Sequence, residues 1–401
     1  MSQKRPNFLI IIADDLGFSD TSPYGSEINT PALNALAQEG LRMTNFHTAS
    51  ACSPTRSMLF SGTDNHIAGL GCMWEHMQMR KDYFKGQPGY EGYLNHRVAA
   101  LPEILSDGGY FTVLSGKWHL GLTKEFAPCS RGVKKNFTFL PEWNDLSPDD
   151  KKRSAKTMEI YAAMVEQIDE NIGRVVEYLK ESDELDNTFI LFMSDNGAEG
   201  AAMEALPIMG AQKNLGNKDS FIWYGPRWAN AGTAPSRGVK GTTFEGGIRC
   251  PCIIRYPPLQ PQPGSISNSF VTVMDILPTV LELAGLEHPG KTYRGREVAL
   301  PRGKSWVPHL ASKKADDVSI HGENTHTHGW ELFGHRAIRQ GNWKAVWDPK
   351  LENERWQLFN LEKDPSEQSD VADTNSEVLD KLVLFWDQYV AETGMIPSPS
   401  F

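Results

Sequence analysis

The chain has 401 residues, of which 40% are hydrophobic and 22% charged, as in ordinary globular proteins. Its formal net charge is −10, with 50 acidic against 40 basic side chains, which argues against non-specific binding to nucleic acid or to an anionic membrane. No stretch approaches the roughly 20 apolar residues that a membrane span requires.

The first predicted element is an apolar strand, Phe8–Ala13, of the kind that is buried on both faces of a parallel sheet. It is too short for the core of a signal peptide, and no small-residue cleavage site follows it. The five cysteines are an odd number, and without an export signal a disulfide framework is not expected. Cys250 and Cys252 are interpreted as buried strand residues. We therefore expect a cytoplasmic protein.

Strands and helices alternate through the next part of the sequence. Thr30 and Pro31 begin a predicted helix, and Gly40 ends it as a left-handed cap. In chain order the predicted elements are helix Ala32–Gln38, strand Leu41–Phe46, helix Leu101–Ser106 and strand Tyr110–Ser115. This alternation predicts an α/β fold.

The longest predicted helix, Ser154–Lys180, carries one apolar stripe at three- and four-residue steps. After it come strand Thr188–Met193, strands Cys250–Tyr256 and Ser269–Val273, helix Asp275–Ala284, short strands Arg336–Ile338, Trp343–Trp347 and Trp356–Asn360, and helix Asn375–Tyr389. We predict an α/β domain over residues 1–318, with a mostly parallel central sheet flanked by helices. A small C-terminal domain over residues 319–401 would hold an antiparallel sheet and a helix.

Short oxygen-bearing side chains follow two of the predicted strands. Asp14 and Asp15 come after the first strand, and Asp195 and Asn196 come after strand Thr188–Met193. Ligands gather at such strand ends in open α/β sheets. Ca²⁺ takes about six to eight oxygen ligands, so these residues suit it. Alone, Asp14 and Asp15 could equally cap a turn, but the second pair favours a cation site.

Three sequence blocks occur in a fixed order: the strand with its aspartates, the pattern Cys-x-Pro-x-Arg at Cys52–Arg56, and Gly-Lys-Trp-His-Leu-Gly at Gly116–Gly121. Together they resemble the type I sulfatases of the alkaline phosphatase-like superfamily. The resemblance covers most of the chain and is strongest to bacterial and fungal arylsulfatases of broad specificity. In that family the cysteine is converted to formylglycine, whose hydrate attacks sulfate esters.

The resemblance implies a role for each matching residue. Asp14, Asp15, Asp195 and Asn196, together with residue 52, would form a calcium site. The peripheral oxygens of a sulfate ester repel a nucleophile until cations neutralise them. The candidate cations are Arg56, Lys117 and Lys240. The candidate base, which would assist collapse of the sulfated hydrate, is His119. A nearby cation would also lower the pKa of the Cys52 thiol.

A histidine-rich stretch, His321, His326 and His328, resembles a metal cluster at first sight. Its glycine and threonine content argues against the helix that would place two of these ligands on one face. We expect a loop near the mouth of the pocket.

One part of the family pattern is missing. Members carry, between the Lys-Trp-His block and the long helix, a segment whose central strand ends in a histidine that assists the leaving group. Here no histidine occurs between His119 and His288. About 100 residues are missing, the size of a small domain. We expect unpaired strand backbone, exposed apolar side chains and an open site that favours good leaving groups.

The sequence thus predicts a calcium-dependent sulfuric ester hydrolase. Its expected substrates are aryl sulfates first and alkyl sulfates second. The expected partners are small-molecule sulfate esters and a formylglycine-generating modification system, with no nucleic acid and no membrane. Two alternatives stay open: a phosphodiester or phosphonate ester hydrolase on the same scaffold, and a catalytically impaired metal-binding remnant. The sequence gives no oligomeric state.

Overall fold

A computed structural model describes residues 4–121, 148–200, 207–209, 216–217, 221–222, 224–259, 263–313, 316–322, 324–350 and 355–397. Within these residues the strands are β1 Asn7–Ala13, β2 Leu41–Met43, β3 Phe46–His47, β4 Thr188–Ser194, β5 Pro207–Met209, β6 Phe221–Ile222, β7 Cys252–Arg255, β8 Ser265–Ser267, β9 Val271–Thr272, β10 Thr292–Tyr293, β11 Arg296–Glu297, β12 Thr327–Leu332, β13 His335–Gln340, β14 Trp343–Trp347 and β15 Gln357–Asn360.

The helices are α1 Pro31–Glu39, α2 Cys52–Ser61, α3 Asn65–Ala68, α4 Trp74–Met79, α5 Lys81–Phe84, α6 Leu101–Asp107, α7 Pro148–Glu181, α8 Pro226–Gly232, α9 Glu245–Ile248, α10 Ile276–Ala284, α11 Val307–Leu310 and α12 Ser376–Thr393. None of the helices in the described ranges is both long enough and apolar enough to cross a membrane.

The central sheet has the strand order β1-β4-β7-β2-β8. Strands β1 and β4 pair in parallel along their full length, from Asn7 opposite Thr188 to Ala13 opposite Ser194. Strand β7 runs antiparallel to both of its neighbours, while β2 pairs in parallel with β8. The mostly parallel α/β sheet predicted from the sequence is therefore confirmed.

Both faces of the central sheet are covered by helices. Successive side chains of a strand point to opposite faces, so each strand packs on both sides. From β4, Phe189, Leu191 and Met193 pack on one face with residues of α2, α6 and α10. Ile190 and Phe192 pack on the other face with residues of α1 and α7. Strand β4 is fully buried, so the polar residues that follow it begin from a rigid position in the core.

The C-terminal sheet is antiparallel in the order β12-β13-β14-β15, and helix α12 packs on it. Strand β12 contains His328, a residue expected in a loop. The sheet is joined to the preceding part of the chain through buried charge: Lys344 Nζ lies 2.8 Å from Glu245 Oε1 in α9 and 2.8 Å from Glu367 Oε1. Glu245 also contacts the His47 ring at 2.9 Å. A buried ion network therefore connects this sheet to the chain just before Cys52.

The predicted strand Tyr110–Ser115 does not form. Its residues form no strand, and Phe111 and Val113 are 94% and 77% exposed. The first residue of the segment contacts β1, because Tyr110 packs against Phe8 at 5.6 Å between ring centroids. Among the described residues no strand pairs with the outer side of β1, which is consequently an edge strand and only half-buried. Alternate side chains of β1 nevertheless pack against both cores: Phe8, Ile10 and Ile12 on one face of the sheet, and Leu9 and Ile11 on the other. The predicted packing of both faces is therefore confirmed, and the partial exposure of β1 comes from its open edge.

Gly40 ends helix α1 in an extended conformation, with φ −123° and ψ −151°, so the predicted left-handed cap was also wrong. Glycine is needed there for a different reason. A Cβ at Gly40 would lie 2.2 Å from the backbone oxygen of Ile254 in β7. The residue permits close packing of the helix end on the sheet.

Candidate active site

The ends of β1 and β4 bring the predicted acidic residues together. The backbone N–H of Asp15 donates to Asp195 Oδ1 at 3.2 Å, and Asn196 Nδ2 donates to Asp15 Oδ1 at 2.8 Å. Asp15 adopts a left-handed backbone conformation, with φ 62°. Because β1 and β4 are parallel neighbours, their tips meet at one edge of the sheet.

Cys52 is the first residue of α2 and is 1% exposed. Its Sγ lies 3.5 Å from Asp15 Oδ1 and donates toward it. Arg56 lies one helical turn further on, so it projects from the same face of α2 as Cys52. Its guanidinium donates to Asp195 Oδ2 through Nε at 3.0 Å and Nη2 at 2.7 Å. The Cys-x-Pro-x-Arg pattern thus places a thiol and a guanidinium over the same strand tips.

Two lysines complete the cluster of charges. Lys117 Nζ donates to both oxygens of Asp14, at 2.6 and 2.8 Å. Lys240 Nζ lies 2.7 Å from Asp15 Oδ2 and 3.0 Å from Glu199 Oε2. Asp14, Asp15 and Asp195 are therefore each paired with a different cation, all close to Cys52.

The pKa values at the site follow from burial and from this charge pairing. Burial opposes ionisation of Asp14, but Lys117 and Arg56 outweigh it and hold the pKa of Asp14 well below its usual range. Burial and the charges of Asp14 and Asp15 raise the pKa of Asp195. Burial, followed by the charges of Asp195 and Asp15, raises the pKa of the Cys52 thiol well above its ordinary value. The expected lowering of the Cys52 pKa was wrong, because burial of the thiol, together with the neighbouring carboxylates, outweighs Lys240.

The donor set fits a hard divalent cation. Ligand atoms of Asp14, Asp15, Cys52 and Asp195 all lie within 4.8 Å of one another. Asn196 Oδ1 is buried and has no hydrogen-bond partner among the described residues. Carboxylate and amide oxygens are ligands of Ca²⁺, whereas a neutral thiol is a poor one. The fit therefore depends on the oxygens and on an oxygen replacing the sulfur of residue 52.

His119 follows Lys117 by two residues, but its ring contacts Glu75, which was not predicted as a site residue. Its backbone is left-handed, with φ 60°, and its Nε2 lies 3.3 Å from Glu75 Oε1 in α4. Neither Glu75 nor Glu199 was predicted as a site residue. Glu199 follows Asn196 by three residues, so its position after a strand end was a usable signal. Glu75 lies in no recognisable motif.

The histidine-rich stretch forms a different cavity. His321 Nε2 contacts both carboxylate oxygens of Asp275 at 3.0 and 2.9 Å. His321, His326 and His328 line a cavity of about 320 Å³ with Phe270 and Arg339. Among the described residues, the side chains that lie close enough together to share a metal ion are Asp14, Asp15, Cys52 and Asp195. None of these histidines belongs to that group.

Comparison with known proteins identifies the family. The sulfatase family model matches residues 6–157 and, in a second match, residues 146–286. A model for the C-terminal part of N-sulphoglucosamine sulphohydrolase matches residues 239–384. The chain belongs to the sulfatase family, with an alkaline phosphatase-like fold. It is a sulfuric ester hydrolase.

Two curated relatives illustrate the range of similarity. An uncharacterised sulfatase of Schizosaccharomyces pombe is 44% identical over 99% of this chain and 95% of its own length. An arylsulfatase of Klebsiella aerogenes is 29% identical over 74% of this chain and 90% of its own. The alignment with the first relative spans 534 positions, against 401 residues here, so that relative carries residues that this chain lacks. The overlap of the two family-model matches at 146–157 agrees with the predicted position of the missing segment.

Solved structures show the same fold. Ps i-CgsB superposes with a TM-score of 0.70 at 22% identity, over 99% of this chain and 95% of that chain. The PsFucS1 sulfatase from Pseudoalteromonas sp. superposes with a TM-score of 0.62 at 20% identity, over 99% of this chain and 92% of that chain. At these identities the likeness concerns the fold alone.

Proposed function

We propose that this chain hydrolyses aryl sulfates, and alkyl sulfates more slowly, with Ca²⁺ and a formylglycine made from Cys52. The observation that carries the proposal is the arrangement around residue 52. Three carboxylates and three cations meet there, as Asp14 with Lys117, Asp15 with Lys240, and Asp195 with Arg56. A site for a doubly charged metal and a sulfate needs both kinds of charge within a few ångströms.

Asp14, Asp15, Asp195 and Asn196 are the residues that would hold the metal. Their oxygens sit on the tips of two buried or half-buried strands, which fixes their spacing before any ligand arrives. The buried oxygen of Asn196 lacks a hydrogen-bond partner among the described residues, which supports its role as a ligand. Bound Ca²⁺ would supply positive charge against the sulfate oxygens.

Residue 52 would carry the nucleophile, because a formylglycine there supplies a hydrated aldehyde. The Sγ atom lies 3.5 Å from Asp15 Oδ1. This carboxylate is placed to accept a hydrogen bond from a hydroxyl at that position, which orients it for attack. The raised pKa of the Cys52 thiol leaves it protonated near neutral pH, so unmodified cysteine makes a poor nucleophile here.

Lys117, Lys240 and Arg56 would neutralise the sulfate oxygens. Lys117 is the most accessible of the three, with 36% of its side chain exposed. It therefore marks the side from which the ester enters. His119 follows two residues later and would move the proton when the sulfated residue breaks down. The expected histidine for the leaving group is missing, which explains the proposed preference for esters with good leaving groups.

The experiment produces the wild type and its Cys52→Ala variant in a host that has a formylglycine-generating system, and compares the two proteins. The peptide containing residue 52 should show the loss of mass that accompanies conversion of a thiol to an aldehyde. The wild type should hydrolyse an activated aryl sulfate faster than an alkyl sulfate, and removal of Ca²⁺ by a chelator should slow both reactions.

The matched control is Cys252→Ala, which removes an equally buried thiol from β7. It should leave turnover unchanged, whereas Cys52→Ala should abolish it. Faster turnover of a phosphate diester than of the matched sulfate ester would instead support the phosphodiesterase alternative. An unmodified thiol in protein from its own host would support the impaired remnant.

A further inference from the structure

We propose that Glu75 is a positioning residue for His119: its carboxylate holds the ring through Nε2 and thereby makes Nδ1 the nitrogen that exchanges protons at the active site. This inference rests on the proposed function, in which His119 moves a proton.

The backbone of His119 is held in an uncommon conformation. A φ of 60° is rare for a residue with a Cβ and costs free energy unless the surroundings maintain it. Gly116 and Gly121, with φ values of 105° and 143°, allow the chain to turn sharply on either side. The tight turn fixes the position of the ring's attachment point, but the turn by itself leaves rotation of the ring undetermined.

The contact with Glu75 determines that rotation. His119 Nε2 lies 3.3 Å from Glu75 Oε1, and the two side chains are 16% and 28% exposed. A neutral imidazole has one N–H donor and one lone pair, and a carboxylate can only accept a hydrogen bond. The proton must therefore be on Nε2 when this bond forms, which leaves the lone pair on Nδ1. Nδ1 is buried and has no hydrogen-bond partner among the described residues, so no described side chain competes for its lone pair.

The charges around Glu75 keep it ionised for this purpose. Burial opposes ionisation, but the hydrogen bond and the charge of His119 outweigh it, so the pKa of Glu75 lies below its usual value. Glu75 is also in the first turn of α4, where the helix dipole favours a negative charge. Other titratable groups also lie near this pair: Lys117 is on the segment of His119, and His76 follows Glu75. Burial lowers the pKa of His76, and Lys240 lowers it further.

A carboxylate that accepts from one imidazole nitrogen fixes the tautomer and stabilises the imidazolium that forms during reaction. Glu75 would do both for His119. The competing explanation is that Glu75 only stabilises the start of α4. Under that explanation, replacing Glu75 would change stability but neither the tautomer of His119 nor the pH dependence of turnover.

The test uses Glu75→Gln and Glu75→Asp, with Asp82→Asn as the control. Asp82 is an exposed carboxylate in the first turn of the adjacent helix α5. Glu75→Gln should lower kcat by about 10- to 100-fold with little change in KM, and should shift the pH profile of kcat. Glu75→Asp should recover part of kcat, because it retains the charge. Asp82→Asn should match the wild type.

A second measurement does not require activity. The ¹⁵N chemical shifts of His119 in the full chain distinguish the Nε2–H from the Nδ1–H tautomer. We expect Nε2–H in the wild type and a changed tautomer population in Glu75→Gln. Finding Nδ1–H in the wild type, or an unchanged kcat and pH profile in Glu75→Gln, would overturn the proposal for Glu75. Absence of sulfate ester turnover in the wild type, or full activity of His119→Asn, would overturn the proposed function instead. In that case the ¹⁵N measurement of the His119 tautomer would still test whether Glu75 positions the ring.

Discussion

Cys52 and Arg56 project from helix α2, almost all of whose residues are buried, whereas Lys117 and His119 follow the exposed residues 111–115. The first pair is anchored in the larger of the two cores beside the central sheet. The second pair contacts Asp14 and Glu75 through its side chains, and Arg56 Nη1 donates to the backbone oxygen of Lys117 at 2.6 Å. The two sides of one site therefore differ in how much of the fold supports them.

This difference separates stability from catalysis. On the α2 side a charged residue is also part of the buried structure, so removing it should damage both. On the Lys117 side a charged residue is partly exposed, so removing it should damage catalysis with little change in folding. The following experiments test that distinction through the free energy of unfolding, beginning with the largest expected change.

Arg56→Ala should lower the free energy of unfolding by about 3–5 kcal/mol, because it leaves the fully buried Asp195 carboxylate without its cation. Urea denaturation of the variant and the wild type measures the change. Arg56→Lys is the control: it retains the charge but loses the two-point contact with Asp195, so an intermediate loss is expected. A loss below about 1 kcal/mol in Arg56→Ala would show that the α2 side does not depend on this pair.

His66 supports the same side, since α3 directly follows α2. Its ring lies 2.8 Å from Asp64 Oδ1 and 3.2 Å from Glu331 Oε2 in β12. Burial opposes protonation, but these two carboxylates outweigh it and raise the pKa of His66 to about 9 from 6.5. Because the folded-state pKa is the higher one, the contribution is complete below pH 6.5 and is lost as the pH rises to about 9.

The size of this contribution is roughly 3 kcal/mol, from the difference between the two pKa values. Denaturation at pH 6 and pH 9.5 should therefore show higher stability at the lower pH. In His66→Gln this part of the difference should disappear. A His66→Gln variant with the wild-type pH dependence would rule out His66 as its source.

Lys117→Ala should change the free energy of unfolding by at most about 1 kcal/mol, because its ion pair with Asp14 is partly exposed on both sides. Sulfate ester turnover should nevertheless fall by about 100- to 1000-fold, since a charge next to the sulfate is removed. Parallel denaturation and rate measurements test both statements. A loss of stability as large as that of Arg56→Ala would remove the distinction between the two sides.

Phe111→Ala should have the smallest effect, within about 0.5 kcal/mol, because this side chain is 94% exposed. Phe192→Ala is the matched control in β4, where the ring is fully buried and truncation should cost about 3–5 kcal/mol. A large loss in Phe111→Ala would mean that residues 110–115 pack against other protein surface in solution.

The positions of the acidic strand tips could be predicted from the sequence, because the signal is local. A continuous apolar strand followed by acidic residues marks β1 and β4, and both strands lie where the pattern placed them. The partners of the carboxylates could not be predicted in the same way. Lys117 and Lys240 reach Asp14 and Asp15 from loops distant in sequence, and their pairing is fixed only by the packing of the chain.

The two main errors in secondary structure have a common cause. Tyr110–Ser115 has the residues of a strand but no neighbouring backbone that pairs with it in the described part of the chain. Thr327–Leu332 has a weak strand pattern, yet it forms β12 because β13 pairs with it over its whole length. A strand depends on its partner as much as on its own residues, so local patterns fail at sheet edges.

The fully buried Lys344 has a further consequence for how the protein unfolds. It is the counter-ion of Glu245 in α9, which in turn contacts His47, five residues before Cys52. Loss of the C-terminal sheet would leave this glutamate charged in the interior without its lysine, a heavy penalty. Residues 1–318 and 319–401 should therefore melt in a single calorimetric transition, and a fragment that stops before the sheet should not retain an ordered catalytic centre.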